Sequence, residues 1–268
     1  MPQALETKKI LVVVRTYPTP SIRGVEVSCT AGITDDGEWI RLFPVPYRFL
    51  DSDQRFAKYQ WINAVVSRGS DSRIESRKLK TDSVTVLSQP LPTTNHWQAR
   101  KDILFPLRSA SLCDLSRRRD ADKHPTLGLF KPAEIRRFVL KSTTASWTHA
   151  QLQALGQGLL FDKPSGTNFE KVPFTAKYEF VCQDPKCPSH SLMCTDWEMG
   201  QAWRSWRDKY GDEGWEAKFR QRFEIEMIQQ KDTYFFVGTV HGHPSKWIIV
   251  GLFYPPLPTP LPLLDGIG

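Results

Sequence analysis

Four residues that bind soft metal ions fall within a short stretch of the sequence. They are Cys182, Cys187, His190 and Cys194, at spacings C-x4-C-x2-H-x3-C. Structural zinc takes four Cys and His ligands in tetrahedral geometry, and a filled shell leaves no place for a reactive water, so the pattern predicts a structural zinc site. Two alternatives stay open: a catalytic or three-ligand site in which Cys194 is not a ligand, or ordinary buried thiols beside a surface histidine.

A helix is predicted to begin directly after the last of these cysteines. Thr195 and Glu198 have the spacing of a capping box, and Asp196 falls in the first turn, where a negative charge suits the helix dipole. Both carboxylates are therefore predicted to serve the helix before any catalysis. Apolar residues at helical spacing continue the pattern to about residue 210 and again over 215–229.

Composition places the chain among globular proteins. It has 268 residues, of which 40% are hydrophobic and 24% charged, enough for one large domain or two small ones. The Met1 end lacks the layout of a signal peptide, and no stretch approaches the roughly twenty apolar residues of a membrane helix. We expect a cytoplasmic protein without a membrane partner, in which the five Cys favour metal binding or free thiols over disulfides.

Charge is divided unevenly between the two halves. Residues 1–150 hold 24 Lys and Arg against 15 Asp and Glu, whereas residues 151–268 hold 12 against 14. A basic half with a net charge of +9 joined to a half with a net charge of −2 suggests that the first half meets a polyanion. The alternative is a solvated basic surface with no partner.

The first half is predicted to be rich in strands. Residues 8–16 form a β-branched run typical of a buried strand, and 26–33 with 38–45 form a hairpin across an Asp-Gly turn. Aromatic and cationic side chains then alternate, as they do in grooves that bind single-stranded nucleic acid, although such aromatics are also common in cores. The predicted nucleic-acid-binding residues are Trp39, Arg41, Tyr47, Arg48, Lys58, Tyr59 and Trp61.

Residues 29–42 resemble the opening motif of the dual-OB domain family, C-x-A-G followed by G-x-W-I-R. The whole sequence is also similar to an uncharacterised group of bacterial proteins that share the C-x4-C-x2-H … D-W-E core and the closing G-L-F-Y-P-P. The resemblance implies an OB-like barrel and, by fold analogy, oligonucleotide binding. It also implies that Cys194 is not part of the defining motif, so that Cys29, His241 or His243 could be the fourth ligand.

These patterns together predict an α+β protein. Its basic, OB-like, β-rich domain with appended helices would span residues 1–150, and 132–140 and 148–160 are predicted helices while 114–123 is a predicted loop. A zinc knuckle, two helices and a closing β-hairpin would span 165–256. A Pro-rich tail would span 257–268, and the boundary between halves is predicted at 164–167.

The leading functional hypothesis is a zinc-stabilised protein that binds single-stranded or distorted DNA or RNA, for which a bacterial defence or mobile-element system would be a suitable setting. A metal-dependent nuclease or nucleic-acid-modifying enzyme is the first alternative, and the sequence leaves catalysis open. The common catalytic signatures are missing: no P-loop, no G-x-S-x-G and no H-E-x-x-H occur. The second alternative is a protein-protein adaptor whose Pro-rich tail is bound by a partner protein.

Overall fold

The computed structural model describes residues 4–21, 24–158 and 170–258. The strands are β1 Leu5–Arg15, β2 Thr19–Ser21, β3 Gly24–Thr34, β4 Trp39–Val45, β5 Trp61–Ser67, β6 Ser76–Leu79, β7 Thr85–Val86, β8 Leu127–Phe130, β9 Glu134–Ser142, β10 Phe174–Val181, β11 His190–Cys194, β12 Tyr234–Val240 and β13 His243–Phe253. The helices are α1 Thr94–Leu104, α2 Leu112–Asp122, α3 His149–Gly158, α4 Trp197–Arg220 and a π-helical continuation, Gln221–Gln230.

Five strands of the first half close into a barrel. Their order is β1-β3-β4-β6-β5, and β5 pairs with β1 to complete the circle. The β4–β6 pair is parallel and the other pairs are antiparallel. The predicted Asp-Gly turn joins β3 to β4, with Gly37 at φ +82°, a conformation that glycine adopts without steric cost. A closed five-stranded barrel is the architecture expected of an OB-like domain.

The strand β1 is buried on both faces, which explains why its apolar residues are continuous. Ile10 and Val12 point into the barrel core, whereas Leu11 and Val13 point outward into a second core. Alternate side chains of a strand face opposite sides, so a strand with two covered faces needs apolar residues at every position. The outer face of this barrel is therefore an internal surface of the protein.

A six-stranded sheet in the second half covers that outer face. Its order is β8-β12-β13-β11-β10-β9. The central strand β12 is also buried on both faces: Phe236 packs against the barrel residues, and Phe235 and Val237 pack on the opposite side. The barrel and the sheet thus share one hydrophobic core.

Helix α4 and its π-helical continuation cover the remaining face of the sheet. The core on that side contains Trp203, Phe219, Phe223 and Met227, as the predicted apolar residues at helical spacing require. Gly211 has φ +76° and interrupts the helix near the residue at which the sequence predicted a stop. The predicted α+β class is confirmed.

Two local predictions differ from the structure. From Glu134 onward, the segment 132–140 that was predicted as a helix belongs to β9, which pairs with β10 at the edge of the sheet and places Phe138 opposite Tyr178. The spacing of Ile135 and Val139 fits a helix, but strand pairing decides the conformation. The predicted loop 114–123 lies in α2, where the side chain of Ser111 caps the helix by accepting a hydrogen bond from the Asp114 backbone N–H.

The predicted domain limits also fit the sheet poorly. Strands β8 and β9 lie before residue 150 but belong to the second sheet, because they pair with β12 and β10. The division between barrel and sheet therefore falls earlier in the chain than the predicted boundary. That boundary at 164–167, and all but the first two residues of the tail 257–268, lie outside the described residues.

Replacing Gly32 with alanine should destabilise the protein. A Cβ atom there would lie 2.4 Å from the Ile10 Cγ2 atom and 2.6 Å from the Leu11 carbonyl oxygen. Overpacking of this kind costs about 1–3 kcal/mol, which denaturant unfolding can measure. Gly69→Ala is the matched control, because its Cβ would meet nothing closer than 3.8 Å. An equal unfolding midpoint in the two variants would contradict the close approach of β1 and β3.

Candidate metal centre and barrel groove

Three of the predicted metal ligands lie at the turn between β10 and β11. The turn is closed by a hydrogen bond of 2.9 Å from the Cys187 N–H to the Asp184 carbonyl. The backbone N–H of Cys182 donates to the Cys187 sulfur over 3.2 Å. His190 begins β11 and faces back across the turn, so that short-range backbone geometry alone brings these three side chains together.

The fourth member of the cluster is Cys113, in the first turn of α2. Its sulfur lies 3.2 Å from the His190 Nε2 atom, and the ligand atoms of Cys113, Cys182, Cys187 and His190 all lie within 4.8 Å of one another. Four ligand atoms at zinc-like bond lengths would be about 3.3–3.8 Å apart, so the cluster is close to a tetrahedral shell. These four residues could hold a metal ion.

The protonation chemistry of the cluster suits a bound cation. Burial, followed by the neighbouring sulfurs of Cys182 and Cys187, raises the pKa of Cys113 to about 12. Burial lowers the pKa of His190, which favours the neutral imidazole that binds metals. A cation would stabilise the thiolates that these neighbours otherwise disfavour.

Cys113 takes the place that the sequence predicted for Cys194. Cys194 ends β11 in the hydrophobic core, 7% exposed, and burial raises the pKa of its thiol. The other proposed fourth ligands, Cys29, His241 and His243, also lie outside the cluster found among the described residues. Cys113 is distant in sequence from Cys182 and carries no motif, so spacing gives no signal for it.

The predicted nucleic-acid-binding residues do not form one surface. They are Trp39, Arg41, Tyr47, Arg48, Lys58, Tyr59 and Trp61. Arg41 is 1% exposed and donates hydrogen bonds to the Thr126 carbonyl and hydroxyl over 2.7 and 2.9 Å. Tyr59 is 4% exposed and packs against Trp97. The prediction for Arg41, Lys58 and Tyr59 must be corrected, because the second half covers them.

The four remaining residues are partly exposed and lie in different places. Trp39 packs edge-on against Phe236 at one end of the barrel, and Trp61 lies beneath the Lys9 ammonium. Tyr47 and Arg48 line a separate small pocket beside α4.

A groove of about 550 Å³ lies around Trp39, between the β3–β4 turn and the β5–β6 loop. We call it the barrel groove and define it by its aromatic and cationic residues, Lys8, Trp39, Arg68, Arg77 and His124. Its volume is in the range of ordinary ligand sites.

The β5–β6 loop that forms one wall of the barrel groove is firmly held. Arg73, which is 9% exposed, pairs with Asp71 inside the loop and donates to the Thr239 carbonyl of β12 over 2.6 Å. Hydrogen bonds from Arg73 outweigh burial and hold the pKa of Asp71 below its ordinary value. The wall is therefore fixed to the second sheet.

Two protein-family models match this chain. A family model described as a domain of unknown function, DUF8757, matches residues 108–265. The chain belongs to this family. A second model, also described as a domain of unknown function, DUF8758, matches residues 6–106. The DUF8757 match contains the whole metal cluster, and the DUF8758 match contains the barrel.

Neither family description names a fold, a ligand or a reaction. The resemblance to the dual-OB family therefore depends on the residues quoted above and on the barrel itself. No curated protein matches the chain. Within residues 4–21, 24–158 and 170–258, none of the helices has the length and apolar character needed to span a membrane.

A buried ion-pair cluster joins the barrel to the DUF8757 part. The Lys58 ammonium lies 2.7 Å from Glu198 Oε1 and 3.4 Å from Asp196 Oδ2, and Lys58 and Asp196 are 8% and 1% exposed. Tyr254 donates to the other Glu198 oxygen over 2.6 Å. Burial lowers the pKa of Lys58, but the two carboxylates raise it further, so Lys58 remains charged.

Backbone hydrogen bonds also hold the Asp196 carboxylate of this cluster. Asp196 accepts from the Glu198 backbone N–H over 2.8 Å and from the Leu252 N–H over 2.7 Å. Asp196, and not the predicted Thr195, is the helix cap, because the Thr195 hydroxyl donates to the Ile249 carbonyl instead. Asp196 therefore has the predicted role at the start of the helix, and Glu198 is held by Lys58 and Tyr254.

Proposed function

We propose that this protein is a zinc-stabilised, OB-like protein that binds single-stranded nucleic acid in the barrel groove. The observation that carries the proposal is the combination of one half-buried tryptophan with the cationic side chains of Lys8, Arg68 and Arg77 in a groove of about 550 Å³. Aromatic rings stack with bases of any sequence, and cations neutralise the phosphates beside them. OB-like barrels also bind oligonucleotides at the corresponding strands and at the loop between the last two strands.

The charge balance of the barrel groove supports an anionic ligand. Arg68 and Arg77 both donate to the Ile74 carbonyl, over 3.2 and 2.7 Å, and within the described part of the chain no carboxylate lies within ion-pair distance of either. Glu75 also lines the groove, but its two oxygens accept hydrogen bonds of 2.6 and 2.7 Å from Thr126. Arg68 and Arg77 are thus the cations of the groove that have no carboxylate partner among the described residues, whereas Lys8 lies 3.7 Å from Asp36 and 3.9 Å from Glu6. The exposed Glu38 also lines the groove.

The metal centre would have a structural part in this function. Three thiolates and one imidazole form a closed zinc shell, which has no position for a substrate or water. Cys113 would attach the start of α2 to the β10–β11 turn, and the chain that leaves the end of α2 carries His124 into the barrel groove. Arg117 on the same helix pairs with Asp184 in that turn. Zinc would therefore fix one wall of the groove.

The proposal predicts that Arg68→Ala combined with Arg77→Ala will weaken nucleic-acid binding about tenfold or more, since two charge-assisted contacts are lost. The measurement is fluorescence anisotropy with labelled single strands of about 12 nucleotides at several salt concentrations. The slope of log affinity against log salt should fall by about 0.7 for each lost phosphate contact.

Arg136→Ala combined with Arg137→Ala is the matched control. Both arginines are exposed on β9 and lie outside the barrel groove, and the pair removes the same total charge. If the two double variants lose affinity equally, binding depends on net charge and the groove is not the site. If the wild-type protein binds no single strand at low salt, the proposed function is wrong.

A further inference from the structure

A second, smaller pocket lies between the barrel and helix α4, away from the barrel groove. Its volume is about 150 Å³. We call it the Arg15 pocket and define it by its aromatic and cationic lining residues, Arg15, Tyr17, Tyr47, Arg48, Trp197 and Arg204. No Asp or Glu is among the described residues that line it.

The buried cation of this pocket is Arg15, at the end of β1. Arg15 is 6% exposed, and its guanidinium lies between two rings, 3.4 Å from the Tyr47 centroid and 4.5 Å from the Trp197 centroid. It donates a long hydrogen bond of 3.4 Å to the Phe56 carbonyl and also interacts with the Tyr47 side chain. Within the described chain, no carboxylate lies within ion-pair distance of this guanidinium.

A buried charge with no carboxylate at ion-pair distance is costly, and the longer-range attraction of Asp196 does not outweigh the cost of burial, so this arrangement needs an explanation. The two rings supply cation–π attraction, which offsets part of the cost but uses none of the N–H donors. Burial accordingly lowers the pKa of Arg15. An anion in the pocket would use those donors and supply the missing charge.

The walls of the Arg15 pocket are positioned by neighbouring contacts. The Tyr17 ring lies directly against Gly200 of α4, where a Cβ atom would be only 2.0 Å from the ring. Arg204, one turn further along α4, has a long contact of 3.5 Å with Glu170, which is bound more closely by Arg207 at 3.1 Å. Trp197 and Gln201 of α4 complete the lining of the pocket on that side.

We propose that the Arg15 pocket binds a phosphomonoester group. Arg15 and Arg204 together offer more N–H donors to this small volume than a single carboxylate accepts, whereas a phosphomonoester carries a charge near −2 and three acceptor oxygens at neutral pH. The volume is below that of a site for a whole drug-sized ligand, so the group alone would be enclosed. This group occurs on free mononucleotides and on the phosphorylated ends of nucleic-acid strands. The inference goes beyond the proposed function and does not depend on the barrel groove.

The test is isothermal titration calorimetry of the full chain with inorganic phosphate, with adenosine monophosphate, and with a short oligonucleotide carrying either a 5′-phosphate or a 5′-hydroxyl. Arg204→Gln should weaken binding of phosphate and of adenosine monophosphate about tenfold or more, as expected when a charge-assisted hydrogen bond is lost. Lys209→Gln is the matched control, because Lys209 is exposed on the same helix and lies outside the pocket, and binding should be unchanged. Arg15→Met should abolish binding, with near-ultraviolet circular dichroism checking that it folds.

The outcomes separate the sources of the group. Tighter binding of the 5′-phosphorylated strand than of the 5′-hydroxyl strand assigns the pocket to strand ends, whereas equal binding of both strands together with binding of adenosine monophosphate assigns it to free nucleotides. No binding of any phosphate-bearing ligand, or binding that Arg204→Gln leaves unchanged, would overturn the proposal. The Arg68→Ala, Arg77→Ala variant should still bind phosphate, so failure of the barrel groove and failure of this pocket are distinguishable.

Discussion

Replacing Cys113 with serine should remove the bound metal and produce the largest loss of stability among single substitutions in this chain. Mass spectrometry should find one zinc per wild-type chain and none in the variant. Loss of a structural metal site costs about 4–5 kcal/mol or more, which for a protein of this size lowers the melting temperature by about 10–20 °C. Treating the wild-type protein with a chelator should have the same effect, because metal binding contributes directly to folding.

Two other cysteines provide the controls for this prediction. Cys29 is half-buried in the barrel and Cys194 is buried in the core of the second half, and neither belongs to the cluster. Cys29→Ser and Cys194→Ala should therefore keep one zinc per chain, even though Cys194→Ala costs some packing energy. Zinc loss in Cys194→Ala with retention in Cys113→Ser would restore the ligand set that the sequence predicted and refute the one assigned here.

Replacing Lys58 with methionine should also destabilise the protein strongly, by about 3–5 kcal/mol, because it leaves two buried carboxylates without their cation. Methionine keeps the apolar stem of the side chain, so the measured change in the free energy of unfolding reports mainly on the charge. Adding Glu198→Gln to Lys58→Met should recover part of the loss, since one uncompensated negative charge is then removed.

Lys80 supplies the matched comparison for this variant. It pairs with Asp82 over 3.6 Å at the surface, with side-chain exposures of 56% and 71%. Exposed pairs contribute between about 0 and 1 kcal/mol, so Lys80→Met should leave the unfolding midpoint nearly unchanged. Similar losses in Lys58→Met and Lys80→Met would mean that the buried cluster does not hold the two halves together.

The sequence predicts the strands and helices whose local pattern agrees with their final environment. Three such elements are present in the structure: the β-branched strand β1, the Asp-Gly hairpin, and the helix α4 with its apolar residues at helical spacing. The helix predicted for 132–140 is wrong because the apolar spacing of this segment suits a helix, whereas the strand with which it pairs, β10, lies more than thirty residues away. The spacing of apolar residues within a short stretch of sequence carries no information about such a distant partner strand.

The candidate sites show the same limit at the level of single residues. Cys182, Cys187 and His190 are brought together by one turn, so their spacing is sufficient to find them. Cys113 is brought to them by the packing of α2 against the sheet, which no spacing can indicate. The prediction that Arg41 and Tyr59 lie on a binding surface is wrong for a related reason. A strand sequence shows which side chains share a face, but it does not show whether another sheet covers that face.

The outer face of β1 is as apolar as its inner face, and this limits how the two halves can be separated in evolution or in the laboratory. The two family models meet near residue 107, which suggests a pair of interchangeable modules. Yet Leu11, Val13 and Phe236 belong to a single core, so a barrel cut free at that point would carry an uncovered apolar face and aggregate. We therefore expect the barrel to stay folded and monomeric only where another sheet covers that face.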